Sequence, residues 1–227
     1  MKKHIICLFD ENGLSAEPWA ESNDYIVYCY DIAHKEESSK GNIVFVPWDV
    51  EDKACHNDMM FRHSGKVKMI LSFPPCTDLA VSGAAWFKDK KKKNPWYREQ
   101  ALDMVMYARD AAEELGVPWV IENPVSVIST EWRKPDHIFH PYEYGGYLDE
   151  DDVHPMYPKY IAPRDAYTKK TCYWTGNGFK MPIAKPVKPE EGFSRQHRLL
   201  GGKSERTKRI RSASPRGIAK AIYEANK

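Results

Sequence analysis

Long apolar runs are missing from this chain of 227 residues, and no stretch approaches the length of a membrane span, which excludes a spanning helix. The opening "MKKHIICLFDENG" passes from a short apolar run straight into acids and turn residues, so neither a secretion signal nor an anchor is expected there. Cysteine is scarce: five residues (Cys7, Cys29, Cys55, Cys76, Cys172) form an odd, widely spaced set with no CxxC pair. That pattern argues against a disulfide framework and against a zinc site, and it fits a reducing, cytoplasmic setting. "CHNDMMFRH" could set His56 and His63 on one helical face, but this spacing matches no common zinc pattern and no metal is expected. Internal repeats are absent too, and "KDKKKK" (88–93) is the one biased tract.

What remains is the composition of an ordinary soluble globular protein, 42% hydrophobic and 29% charged, long enough for one sizeable domain with or without a small appendage. The net charge of +2 conceals an uneven distribution. From Lys185 to Lys227 twelve Lys or Arg stand against four Glu, whereas "GGYLDEDDVH" is strongly acidic. A basic segment of this kind can follow a phosphate backbone, because neutralising phosphates releases counterions.

The first half alternates strand-like and helix-like segments: "HIICLF", "SAEPWAES", "YIVYCYD", "NIVFVPWD", "KACHNDMMFRH", then Met69 to Phe73, a helix over Tyr97–Leu115 stopped by Gly116, and "VPWVIENP". This alternation predicts an α/β fold with a doubly wound, mostly parallel sheet, whose ligands sit outside the carboxyl ends of the strands. After Pro124 the texture becomes aromatic, proline-rich loop, then a short strand "TCYWTG", a basic excursion, and a closing amphipathic helix in "SPRGIAKAIYEAN".

The most informative stretch is "KMILSFPPCTDLAVSG" (68–83). Its apolar run has lost the alternation of a half-buried strand, as an interior strand of a parallel sheet does. Pro74 and Pro75 cannot donate to a ladder and fix their φ angles, so the strand stops there and the next side chain, Cys76, is presented at its carboxyl end. A thiolate so placed can act as a nucleophile, whereas Cys7 and Cys29, inside strands, are expected to be inert packing. Glu122, ending the next strand in "IENP", can donate to a ring nitrogen as the thiol adds to the ring. Asp31 and Asp49 end the second and third strands, where acids can meet the ribose and adenine of an adenosine cofactor; Asp is also a common turn residue.

In that order and spacing, "FPPCT" and "IENP" resemble the Pro-Cys and Glu-Asn-Val motifs of DNA cytosine-5 methyltransferases. "LFDENGLSAEPWAESNDYIVYCYDI" is similar to that family's first cofactor motif and following strand, and "RIRSASPRGIAKAIYEAN" to the C-terminal segment that completes its cofactor pocket. The chain looks like a compact, phage-type member. The resemblance implies a class I, Rossmann-like methyltransferase fold with S-adenosylmethionine as donor and DNA cytosine as acceptor. It implies a catalytic domain over 1–178 completed by 205–227, and a much reduced recognition region, short and basic, over 179–204.

Residue by residue, the resemblance implies that Phe9 stacks on adenine, Asp31 binds the ribose and Asp49 contacts the adenine amino group, with Asp10, Gly13, Pro74 and Ser214 completing the cofactor site. Cys76 would attack C6 of an extruded cytosine while Glu122 holds N3 and the exocyclic amine. Lys170, in "YTKKTCYW", would supply the cation of a Gln-x-Arg-x-Arg motif that the chain lacks. Ser82 and Lys91 after the cysteine, and Arg206, Lys208, Arg209 and Arg211 near the end, are the candidate DNA contacts. "FDENG" carries one glycine and two acids, so its cofactor loop departs from the family's glycine-rich form. The short recognition region implies either little sequence reading or a protein partner. Alkyl transfer to RNA, to a free nucleotide or from a modified donor shares the cysteine–glutamate pair, and a nucleic-acid-binding decoy with a relic active site is the reading from another class.

Overall fold

The computed structural model describes residues 1–202 and 204–227. Its strands are β1 (Lys3–Leu8), β2 (Tyr25–Asp31), β3 (Ser38–Lys40), β4 (Ile43–Pro47), β5 (Val67–Ser72), β6 (Trp119–Pro124), β7 (His137–Phe139) and β8 (Thr171–Gly176). The helices are α1 (Glu17–Ala20), α2 (Lys53–His63), α3 (Phe87–Lys93), α4 (Tyr97–Leu115), α5 (Ile128–Glu131), α6 (Arg195–Leu199), α7 (Glu205–Ser212) and α8 (Arg216–Asn226).

The strands form one sheet in the order β3-β4-β2-β1-β5-β6-β8-β7. From β4 to β6 every neighbouring pair is parallel, while β3 runs antiparallel to β4 and β8 antiparallel to β6. The chain therefore winds from β1 outward through β2 and β4, then returns to the other side of β1 and continues through β5 and β6. This is the doubly wound, Rossmann-like α/β sheet that the alternation predicts. The winding reverses between β1 and β5, and the carboxyl ends at such a reversal are where sheets of this kind bind ligands.

Burial explains why these segments became interior strands. Ile5, Ile6, Cys7 and Leu8 of β1 and Met69 and Ile70 of β5 are all fully buried, as strands covered on both faces must be. Helix α4 lays Ala101, Val105, Ala108, Ala111 and Ala112 inward, and these small side chains let it pack closely on the sheet. Gly116 ends it in the left-handed conformation (φ 66°), with its N–H accepted by the carbonyls of Ala112 and Glu113. Asp52 caps α2 through a 2.8 Å bond from the Ala54 N–H.

Several elements differ from the sequence expectation. Strand β7 and helix α5 fall in the segment after Pro124 read as loop, α6 and α7 fall in the basic excursion, β3 lies in a stretch where no element is expected, and the lysine tract is a helix, α3. The chain divides into two compact units: Met1–Ile138 with Thr171–Phe179, and Phe139–Lys170 with Lys180–Lys227. The reversal between β1 and β5 lies in the first. In the second, Gly217 of α8 approaches the carbonyl of Tyr144 so closely that an added Cβ would lie 2.5 Å from that oxygen. Asp165 accepts the Gly217 N–H at 2.8 Å at the start of α8, where the positive end of the helix favours an acid. Burial nevertheless pushes the Asp165 carboxyl up to about 6. Among the described residues, no helix is long and apolar enough to cross a membrane.

Candidate active site

The loop after β1 starts at Phe9, which takes a left-handed conformation (φ 58°) that a bulky residue adopts only under constraint. Its N–H is held by the Tyr30 carbonyl at 2.7 Å, and its ring meets Trp48 edge-on, with centroids 5.3 Å apart. Asp10 turns inward. One carboxylate oxygen accepts the N–H groups of Gly13 (2.8 Å) and Asn12 (3.2 Å), and the other lies 3.9 Å from the Cys29 sulfur. Burial pushes this carboxyl up to about 6 against the pull of those two N–H groups. The acid thus folds the loop from inside. Gly13 is needed because φ is +70° there and an added Cβ would press on the Phe45 ring at 3.2 Å.

Asp31 ends β2 and accepts the Ala33 N–H at 2.8 Å; Asp49 follows β4 and accepts the Glu51 N–H at 3.0 Å. Each therefore closes a local Asx turn at the carboxyl edge of the sheet. Beyond Asp49 a cavity of about 360 Å³ is lined by Val50, Glu51, Gln100, Asp103, Met104 and Tyr107. Its size lies within the range of small-molecule pockets.

On the other side of the reversal, β5 ends at Ser72, Pro74 is buried, and Pro75 and Cys76 are exposed. The Cys76 carbonyl accepts the N–H groups of Leu79 (3.1 Å) and Ala80 (2.8 Å), which bends the chain back immediately after the thiol. Glu122 lies half-buried near the end of β6. The two motifs are joined physically: Asn123 Nδ2 donates to the Pro74 carbonyl at 3.0 Å. Further on, Val81 N–H reaches the Val125 carbonyl (3.1 Å), Val127 N–H reaches the Leu79 carbonyl (3.0 Å), and Ala80 bridges Ser126. The segments after Cys76 and after Glu122 therefore run as one seam. Ser72 Oγ, Asn123 Oδ1 and Ser126 Oγ are buried along it without a hydrogen-bond partner, a costly state in a finished interior.

Beyond the thiol, Ser82 lies exposed in a 3₁₀ helix over Val81–Trp86, and Lys91 is exposed on α3. Lys90 donates to the Thr77 carbonyl (2.6 Å) and pairs with Asp78 (2.7 Å), fastening α3 to the residues that follow Cys76. The remaining candidates belong to the second unit. Lys170 is exposed just before β8, and Ser214 is half-buried just before α8. On α7, Arg206, Lys208, Arg209 and Arg211 are exposed, but Lys208 pairs with Glu205 (2.6 Å) and Arg211 donates to the Leu200 carbonyl (2.8 Å). Arg206 lies over the Tyr160 ring, 5.6 Å from its centroid.

Cys7, Cys29 and Asp10 are buried with their ligand atoms all within 4.8 Å of one another. Burial raises the Cys7 thiol, and the Cys7 hydrogen bond and burial raise that of Cys29, which keeps both protonated as packing residues. Sequence reasoning missed Asn123 and Lys90. Asn123 carried a signal in its place between Glu122 and Pro124, whereas Lys90 looked like any other member of its run.

No protein-family model matches the chain, and no curated protein does. Among solved structures, the MycE methyltransferase from the mycinamycin biosynthetic pathway, in complex with Mg and SAH, is 11% identical over 94% of this chain and 49% of that one, with a TM-score of 0.32. The chain thus spans about half the length of that protein. A likeness at this level is too low for the activity or ligands of MycE to be carried over.

Proposed function

We propose that the protein is an S-adenosylmethionine-dependent methyltransferase acting on C5 of cytosine in DNA. The observation that carries this reading is the seam between the Cys76 and Glu122 motifs: an exposed thiol at the carboxyl end of β5, tied through Asn123 to the strand that bears a half-buried carboxyl. The antiparallel β8 beside β6 in an otherwise parallel core fits the class I methyltransferase fold.

The first unit has the means to hold an adenosine cofactor. Phe9 at the end of β1, Asp31 at the end of β2, Asp49 after β4 with the cavity beyond it, and the loop folded by Asp10 all lie at the carboxyl edge. When bound, S-adenosylmethionine supplies an electrophilic methyl group on its sulfonium.

The chain's own residues do the rest. The Cys76 sulfur, its proton passed to solvent, adds to C6 of an extruded cytosine, and the C5=C6 π electrons move onto C5 as Glu122 donates a hydrogen bond to N3. C5 would then take the methyl group, with S-adenosylhomocysteine as the leaving group; loss of the C5 proton to solvent restores the C5=C6 double bond and expels the thiolate. Extrusion is required because neither carbon can be reached inside a stacked duplex. Exposed Arg206, Lys208 and Arg209 of the second unit are proposed as phosphate contacts.

Incubation of the protein and S-adenosylmethionine with DNA, with RNA and with free cytidine nucleotides, followed by nucleoside mass analysis, tests the reading. The expected product is 5-methylcytosine in DNA. Methylation confined to RNA or nucleotides, or none in any arm, would overturn it.

A further inference from the structure

The chain is tied down on both sides of Cys76. Two residues before it, the Pro74 carbonyl accepts a hydrogen bond from Asn123 Nδ2 at 3.0 Å. Immediately after it, the Thr77 carbonyl and the Asp78 carboxylate both meet the Lys90 ammonium, at 2.6 Å and 2.7 Å. The Cys76 carbonyl itself accepts the N–H groups of Leu79 and Ala80, so the turn and the ammonium together hold the peptide that leaves the thiol. Within "KDKKKK", Lys88, Lys91, Lys92 and Lys93 are exposed, whereas Lys90 is half-buried and closes the excursion 77–90 back onto its own start.

We infer that Lys90 is a positioning residue for Cys76: its ammonium fixes the backbone directly after the nucleophile and so the direction in which the thiol is presented. The inference rests on the proposed reading of Cys76 as the nucleophile. Lysine suits this task, because its compact ammonium carries three donors and can hold a carbonyl and a carboxylate at once. The side chains of Lys90 and Asp78 are 28% and 38% exposed, and an ion pair so open to water contributes little to global stability. Its leverage is geometric instead. The Thr77 carbonyl belongs to the residue bonded to Cys76, and a reacting group displaced by about 1 Å loses on the order of a hundredfold in rate. With both of its acceptors inside the chain, Lys90 acts on the thiol's geometry rather than on a ligand.

The test measures kcat and KM for methyl transfer to DNA, and backbone hydrogen exchange without DNA or cofactor, on the full chain and its variants. Lys90→Met should lower kcat at least about tenfold with KM for DNA near the wild-type value. It should also speed exchange of the Leu79 and Ala80 N–H groups that close the turn, while the melting temperature stays near that of the wild type. Lys90→Arg keeps a charged donor and should recover most of kcat. Asp78→Ala should slow the wild type but add little to the loss in Lys90→Met, because both changes cut the same tie. Lys92→Met removes the same charge from an exposed position and should leave kcat and exchange unaltered. A raised KM with kcat intact would make Lys90 a phosphate contact and overturn the inference, as would unchanged exchange in Lys90→Met or an equal loss of kcat in Lys92→Met. An active wild type with unaltered kcat in Lys90→Met would overturn this inference alone; a wild type without methyl transfer to any acceptor would overturn the proposed activity and the positioning role with it.

Discussion

Within the first unit, β1, β2 and α2 share a buried chain of hydrogen bonds. His4 and His63 meet through their Nδ1 atoms at 2.8 Å, and His63 Nε2 meets the Tyr30 hydroxyl at 2.7 Å. Burial, with the charges of His4, Arg62 and Lys66, lowers His63 to about 3, so the folded protein keeps it neutral. The unfolded chain takes up a proton near 6.5, and so stability from this residue is complete above about pH 6.5 and is lost as the pH falls towards 3. The slope is about 1.4 kcal/mol per pH unit. His63→Gln should destabilise the protein near pH 7.5, and the gap to the wild type should shrink as urea unfolding is repeated at pH 6, 5 and 4. A gap that stays constant would show that the histidine is not held neutral. Asp10 teaches a related lesson: the resemblance made it a candidate cofactor residue, but the use of its carboxylate for the Gly13 and Asn12 N–H groups depends on φ angles that no residue pattern displays.

At the scale of elements, the proposed chemistry rests on the β5–β6 seam, which Asn123 ties together. Asn123→Ala removes the bond to the Pro74 carbonyl and leaves a small buried gap, at a cost of about 1–3 kcal/mol to stability. As a positioning residue it should lower kcat for methyl transfer more than it alters KM for DNA, with S-adenosylmethionine affinity by calorimetry near the wild-type value. Unchanged kcat would mean that the tie does not position Cys76. The elements that sequence reasoning found are those with a strong local cause, such as the two prolines ending β5 or the Ala-rich face and Gly116 stop of α4. Those it missed lack one. Strand β3 is wholly exposed "SSK", β7 has three residues, and α3 has no apolar periodicity, being set down by Lys90 reaching back to Asp78.

At the scale of the whole molecule, the order Phe9, Asp31, Asp49, Cys76, Glu122 along the chain becomes an array along one edge of a sheet, because each apolar run carries its terminal residue to the carboxyl side. That array was legible from residue order alone; the seam between its last two members, made by residues 79–81 and 125–127 far apart in the chain, was not. The central claim is that Cys76 is a nucleophile towards a cytosine ring, and its most direct test is incubation with DNA containing 5-fluorocytosine and S-adenosylmethionine, followed by mass analysis of the digested protein. Fluorine cannot leave C5 as a proton does, so the thiol cannot be expelled. The account predicts a stable DNA adduct on the peptide bearing Cys76, absent in Cys76→Ser, whose hydroxyl is scarcely ionised at neutral pH. Full methyl transfer by Cys76→Ser, or an adduct on another cysteine, would contradict it.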